Sequence, residues 1–128
     1  MKPLVRKRVC IQGLGFVGAA MAVAVATARG STGDPLYTVT GVDLNNLEGN
    51  KRIDAINRGA FPFSTSDSEL TEALKRCVED GTLSATSDSS SYASADIVVV
   101  DMPLDLPFRE SEPDLGFDDF IDGLTTVF

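Results

Sequence analysis

Apolar and polar residues fall in blocks along the chain, and each block has the length of a secondary-structure element. "RVCIQ", residues 8–12, is an apolar run of strand length, and three glycines follow at once. Phe16 to Arg29 is rich in Ala and ends at Gly30, which predicts a helix. "STGDP" is turn chemistry, and "LYTVTGVDL", rich in β-branched residues, predicts a second strand closing at Asp43. Ile53 and Ile56 share one face of a helix from Asn50 to Arg58, stopped by Gly59 and Pro62 in "NRGAFP". Leu70, Ala73, Leu74, Cys77 and Val78 follow the i, i+3, i+4, i+7, i+8 spacing of a further helix that begins near Ser66 or Ser68. "GTLSATSD" predicts a third strand and "SDSSSYASA" a capped short helix or turn. "SADIVVVDMP", a continuous apolar run, predicts a fourth strand buried on both faces. "PDLGFDDFIDGLTTVF" predicts a helix with Leu115, Phe120 and Leu124 turned inward.

Strands alternating with helices imply an α/β fold: a parallel, Rossmann-like sheet with helices on both faces and right-handed crossovers. The chain has 128 residues, 43% of them hydrophobic, which suffices for one domain with a core and leaves no room for a second. A net charge of -8 excludes a nucleic-acid or anionic-membrane surface, which needs clustered cations. Cys10 and Cys77 lack metal-ligand spacing and read as reduced core residues, the alternative being a disulfide between them, so no metal site is expected. With no His in the chain, acid–base chemistry within it would fall to Asp, Glu, Lys, Tyr or Cys. Lys2, Arg6, Lys7 and Arg8 ahead of the apolar stretch from Leu14 to Ala28 have the order of a secretory signal. Gln12 and the glycines interrupt that stretch where a signal is densest, and the residues beyond Gly30 complete a nucleotide-binding unit that cleavage would destroy. A cytoplasmic protein is therefore expected.

The glycines carry the chemistry. Gly13 permits a tight turn, Gly15 lets backbone approach a pyrophosphate, and Gly18 lets the helix lie close to the strand with its N-terminus aimed at the anion. The alternative is that they only pack a tight strand-to-helix turn. Asp43, 25 residues past Gly18, ends the next strand, where an acid accepts from a ribose 2′-hydroxyl; the "GSTGDP" insertion accounts for the long interval. A carboxylate there favours NAD over NADP, whose 2′-phosphate it repels.

"VCIQGLGFVGAAMAVAVA", "VTGVDLN", "KRIDAINRGAFPF", "GTLSATSD", "ADIVVVDMPL" and "EPDLGFDDFIDGL", in this order, resemble the N-terminal NAD-binding domain of the UDP-glucose/GDP-mannose dehydrogenase family. The resemblance covers nearly the whole chain, and its most specific part pairs GLGFVG with "INRG" and an ensuing proline. It implies an enzyme of polysaccharide biosynthesis that oxidises the C6 hydroxyl of a nucleotide sugar to a carboxylate in two NAD-dependent steps, through a cysteine thioester. It further implies that Phe16 and Val17 present backbone amides to NAD, that Asp43 binds the adenosine ribose, and that Arg52 stands for a family lysine beside that ribose. Arg52 reads equally well as a solvated helix residue. Pro103 belongs to the same cofactor set, but Leu104 follows it where the family has a threonine, and one hydroxyl contact is lost. Asp101 replaces a small residue and is expected to accept from local backbone amides; the alternatives are a donor partner, a raised pKa, or a place facing the cofactor cleft. "NLEGN" is expected to lengthen the route from Asp43 to Arg52.

By the same resemblance the catalytic cysteine, lysine and asparagine, the dimerisation domain and the sugar-nucleotide domain lie beyond Phe128. The chain then reads as an incomplete NAD-binding domain, residues 1–128, of a protein that is a homodimer at full length. A second reading is a non-catalytic NAD-sensing regulatory domain of the potassium-transport type, and a third is a hydroxyacyl or phosphogluconate type of dehydrogenase. "INRGAFP" and the two successive helices between the second and third strands separate the first reading from the regulatory domain.

Overall fold

The computed structural model describes residues 6–101. Strand β1, Lys7–Gln12, runs at the centre of the sheet because its odd and even positions are apolar in turn on opposite faces: Val9 and Ile11 on one, Cys10 on the other, all buried. It pairs in parallel with β2, Tyr37–Val42, and with β4, Ile97–Val100, while β3, Leu83–Thr86, extends the sheet beyond β2. The order is β3-β2-β1-β4. The chain steps outward from β1 to β3 and then crosses to the other side of β1, so a crevice opens between the carboxyl ends of β1 and β4.

Helices α1, Phe16–Thr27, α2, Leu47–Asn57, and α3, Ser68–Glu79, cover one face. Ala19, Ala22, Val23 and Ala26 of α1, Ile53 and Ile56 of α2, and Leu74 and Cys77 of α3 share a core with Val9, Ile11, Val39, Leu83 and Ala85 of the sheet. Burying a side chain such as Ile56 or Leu74 fully contributes about 1.5–3 kcal/mol. On the other face a short 3-10 helix, Ser89–Ser94, capped by the Asp88 carboxylate, lays Tyr92 against Cys10 and Val42. The predicted α3 stripe is the buried one, and both cysteines are buried and free.

Several boundaries differ from the sequence pattern. Helix α1 ends at Thr27, not Arg29, because Ala28 turns extended and Arg29 forms a bridge with Pro35. Helix α2 begins at Leu47, not Asn50: Asn46 accepts from Gly49 N–H and caps it, so the residues of "NLEGN" after its cap form the first turn. Strand β4 is not buried on both faces. It edges the described sheet, with Ile97 42% exposed and Val98 to Val100 half-buried. Pro103 and the helix expected at residues 113–128 lie outside the described residues.

The "INRG" segment has a structural task. Gly59, at φ 79°, closes α2 with Gly59 N–H on Ile56 C=O and Ala60 N–H on Ala55 C=O, a reciprocal pair that only a left-handed residue permits. Asn57 then reaches β3 with both amide atoms: Nδ2 donates to Ala85 C=O and Oδ1 accepts from Ala85 N–H, each at 2.9 Å. Asn57→Ala removes both bonds at a partly buried strand edge and should cost about 1–2 kcal/mol, read as a lower urea midpoint with unchanged slope. An unchanged midpoint would show that water replaces Asn57 in full. Burial, then the neighbouring Cys10 and Asp43, push the Tyr92 hydroxyl from 10.0 up to about 12. The folded state therefore holds that proton more tightly than the unfolded chain, so the contribution of Tyr92 to stability is complete below pH 10 and is lost as pH rises from 10 to 12. Melting temperatures measured across this window should fall faster for the natural chain than for Tyr92→Phe.

Candidate cofactor site

The site begins where β1 ends. Gly13 sits at φ 93°, a conformation L side chains rarely adopt, and a Cβ there would collide with the Asp101 carbonyl at the end of β4. A Cβ on Gly18 would collide with the Gly13 carbonyl and come within 2.9 Å of Asp101 Oδ2. Gly15 differs from both: nothing lies within 4 Å of a Cβ built there, so the position faces open space. Gly15 is also the N-cap of α1, with no side chain capping it and no acidic residue in the first turn. The amides of Phe16, Val17 and Gly18 thus open α1 unscreened by any carboxylate of its own, the electrostatics of an anion cradle.

Leu14, between the glycines, anchors the loop twice. Its side chain is fully buried against Gly41 of β2, where a Cβ would come within 2.5 Å of Leu14 Cδ2. Its N–H donates to Asp43 Oδ2 at 3.1 Å. Asp43 Oδ1 accepts from Leu44 N–H at 2.7 Å, and Arg52 Nη1 stands 3.5 Å from Oδ2. The Asp43 side chain is only 10% exposed, so this ion pair works in a partly desolvated setting, where the attraction is stronger than in water. Arg52 is also 3.9 Å from Glu48 and lies over the Phe63 ring at 5.3 Å. Phe63 and Phe61 close on Phe16, with ring centroids 5.9 and 5.3 Å away, and tie the segment after α2 to the start of α1.

The structure therefore brings Gly13, Gly15, Phe16, Val17, Gly18, Asp43 and Arg52 to one end of the sheet. The side chains of Phe16 and Val17 are exposed, at 48% and 60%. Among the described residues the Asp101 side chain accepts no hydrogen bond; its carboxylate stands beside Gly18 at the crevice, while its N–H donates to Gln12 C=O. Sequence reasoning missed Leu14, Gly41, Phe61 and Phe63. Only the small residue in the middle of β2 signalled the pocket Leu14 fills.

A concavity of about 200 Å³ adjoins Asp43, lined also by Gln12, Val42, Leu44, Ser89 and Tyr92. Gln12 Oε1 is buried and finds no hydrogen-bond partner among the described residues. An acceptor left in that state costs about 1–3 kcal/mol. Among the described residues no three His, Cys, Asp or Glu side chains gather as metal ligands, and no helix is long and apolar enough to cross a membrane.

The fold that carries this site is shared with known dehydrogenases. An NDP-N-acetyl-D-galactosaminuronic acid dehydrogenase from Methanosarcina mazei Go1 superposes with a TM-score of 0.74 at 29% identity, over 95% of this chain and 24% of that one. A GDP-mannose dehydrogenase from Pseudomonas aeruginosa superposes with a TM-score of 0.62 at 28% identity, over 89% of this chain and 23% of that one. A UDP-glucose dehydrogenase from Pyrobaculum islandicum shares the fold, with a TM-score of 0.65 at 23% identity over 94% of this chain and 25% of that one. The chain spans about a quarter of the length of these structures. No curated protein gives a significant match. Residues 7–118 match the UDP-glucose/GDP-mannose dehydrogenase family, NAD binding domain, and the chain belongs to that family through this Rossmann-like, NAD-binding unit.

Proposed function

We propose that the chain holds the adenosine-diphosphate half of NAD for a dehydrogenase that oxidises the C6 hydroxyl of a UDP- or GDP-sugar to a carboxylate. The observation that carries the reading is the contrast among the three glycines: two are closed by backbone, and Gly15 alone opens to the space in front of the uncapped α1 N-terminus. NAD, when bound, supplies the hydride acceptor. The chain's own part is to place it: Phe16 and Val17 amides on the pyrophosphate, Asp43 on the ribose hydroxyls, and Arg52 beside them, held by Asp43, Glu48 and Phe63. Pro103 belongs to the same set on sequence grounds. The likeness to a GDP-mannose dehydrogenase and to an NDP-sugar dehydrogenase supports a nucleotide-sugar substrate. Helices α2 and α3, both between β2 and β3, support this reading over an NAD-sensing regulatory domain. We assign catalysis to a cysteine, lysine and asparagine outside these residues. The full-length protein is read as a cytoplasmic homodimer acting in polysaccharide biosynthesis.

Gly15→Val places methyl groups where the pyrophosphate would sit, within about 3 Å of the amide nitrogens, and should abolish NAD binding while changing stability by no more than about 1 kcal/mol. Gly18→Ala should do the opposite first, lowering stability by about 1–3 kcal/mol through overlap with Gly13. Calorimetric titration and a thermal melt on each variant test the pair; a destabilised Gly15→Val that keeps wild-type NAD affinity refutes the phosphate cradle.

Asp43 sets the cofactor. The natural chain should bind NAD at least about tenfold more tightly than NADP, and Asp43→Ala should weaken NAD more than NADP, since only NADP gains from losing the charge. Equal affinity of the natural chain for the two cofactors contradicts this assignment.

A further inference from the structure

We infer that the Gln12 carboxamide reads the base of the dinucleotide, accepting on Oε1 from the adenine amino group and donating from Nε2 to the adenine N7. The inference rests on the cofactor reading above and deepens it. Gln12 ends β1, on the sheet face that carries Cys10 and Tyr92, and it lines the concavity beside Asp43. A ribose held by Asp43 carries its base one glycosidic bond away. Around Asp43, the Leu14 amide and the Arg52 guanidinium already occupy their places on the carboxylate, whereas the concavity is open. Val42 and Tyr92 give it apolar walls for a ring face.

The chemistry of the edge then selects the base. A carboxamide offers one acceptor and one donor side by side, and adenine presents the matching pair, its amino donor and ring-nitrogen acceptor. On the same edge hypoxanthine presents two acceptors, O6 and N7, which sets the Oε1 lone pairs against those of O6. Gln12 Oε1 is buried with no donor among the described residues, so turning the carboxamide toward the concavity to meet the amino group gives up no hydrogen bond of Oε1 among them.

The test compares NAD with nicotinamide hypoxanthine dinucleotide, which differs from it at that amino group, by titration into the 128-residue chain. The natural chain should bind NAD about tenfold more tightly. Gln12→Met, of similar length without the amide, should bring the ratio under about twofold by weakening NAD alone, and should melt no lower, because the unpaired acceptor is gone. NAD binding with no preference in the natural chain, or a wild-type preference retained by Gln12→Met, overturns the role of Gln12 and leaves the cofactor reading standing. Failure to bind either dinucleotide overturns the cofactor reading and this inference with it.

Discussion

The contact on which the site depends is the approach of α1 to the end of β1, so close that Gly18 faces the Gly13 carbonyl with no space for a Cβ. Any side chain at position 18 would push the helix outward. With the helix drawn in, its first amides point into the crevice between β1 and β4, and the residue at the turn must take the positive φ that Gly13 supplies. Leu14 then has one place to go, under the loop against Gly41. The cradle is thus a product of backbone packing, fixed before any ligand arrives.

Asp43 couples that cradle to the adenosine side. One oxygen takes the Leu14 amide and the Arg52 guanidinium, and the other takes the Leu44 amide, so the carboxylate that would meet a ribose also pins the glycine loop. Removing it should therefore loosen the phosphate site as well as the ribose site, a coupling that a simple contact list does not express. Phe63 and Glu48 keep Arg52 from extending into solvent, and the three phenylalanines link that anchor to the start of α1. The long segment between β2 and β3 contributes to the site through these contacts.

Much of this was legible in the sequence where one local rule governs. The three glycines, the acid closing the second strand, the α3 stripe and the Asp88-capped turn each follow from spacing within a few residues. What the pattern misplaced is set by tertiary partners. Ala28 leaves the helix early to allow the Arg29 bridge to Pro35, and α2 starts three residues before Asn50 because Asn46 caps it. The apolar run of β4 resembles a central strand, yet it edges the described sheet. Asn57, whose side chain pairs with a strand 28 positions away, gave no sequence signal beyond its place in a motif. The sequence did not show that the Asp101 carboxylate stands against the helix start, a matter of where β4 ends relative to β1.

The central claim is that this chain, by its own residues, holds the adenosine-diphosphate half of NAD. Titrating the chain with ADP-ribose and with NAD tests it most directly, because the two ligands share the pyrophosphate, ribose and adenine and differ in the nicotinamide. The account predicts affinities within about threefold of each other, both abolished by high concentrations of competing ADP. No binding of ADP-ribose by a folded chain that does bind NAD would contradict it, since the cofactor would then be held by its other half.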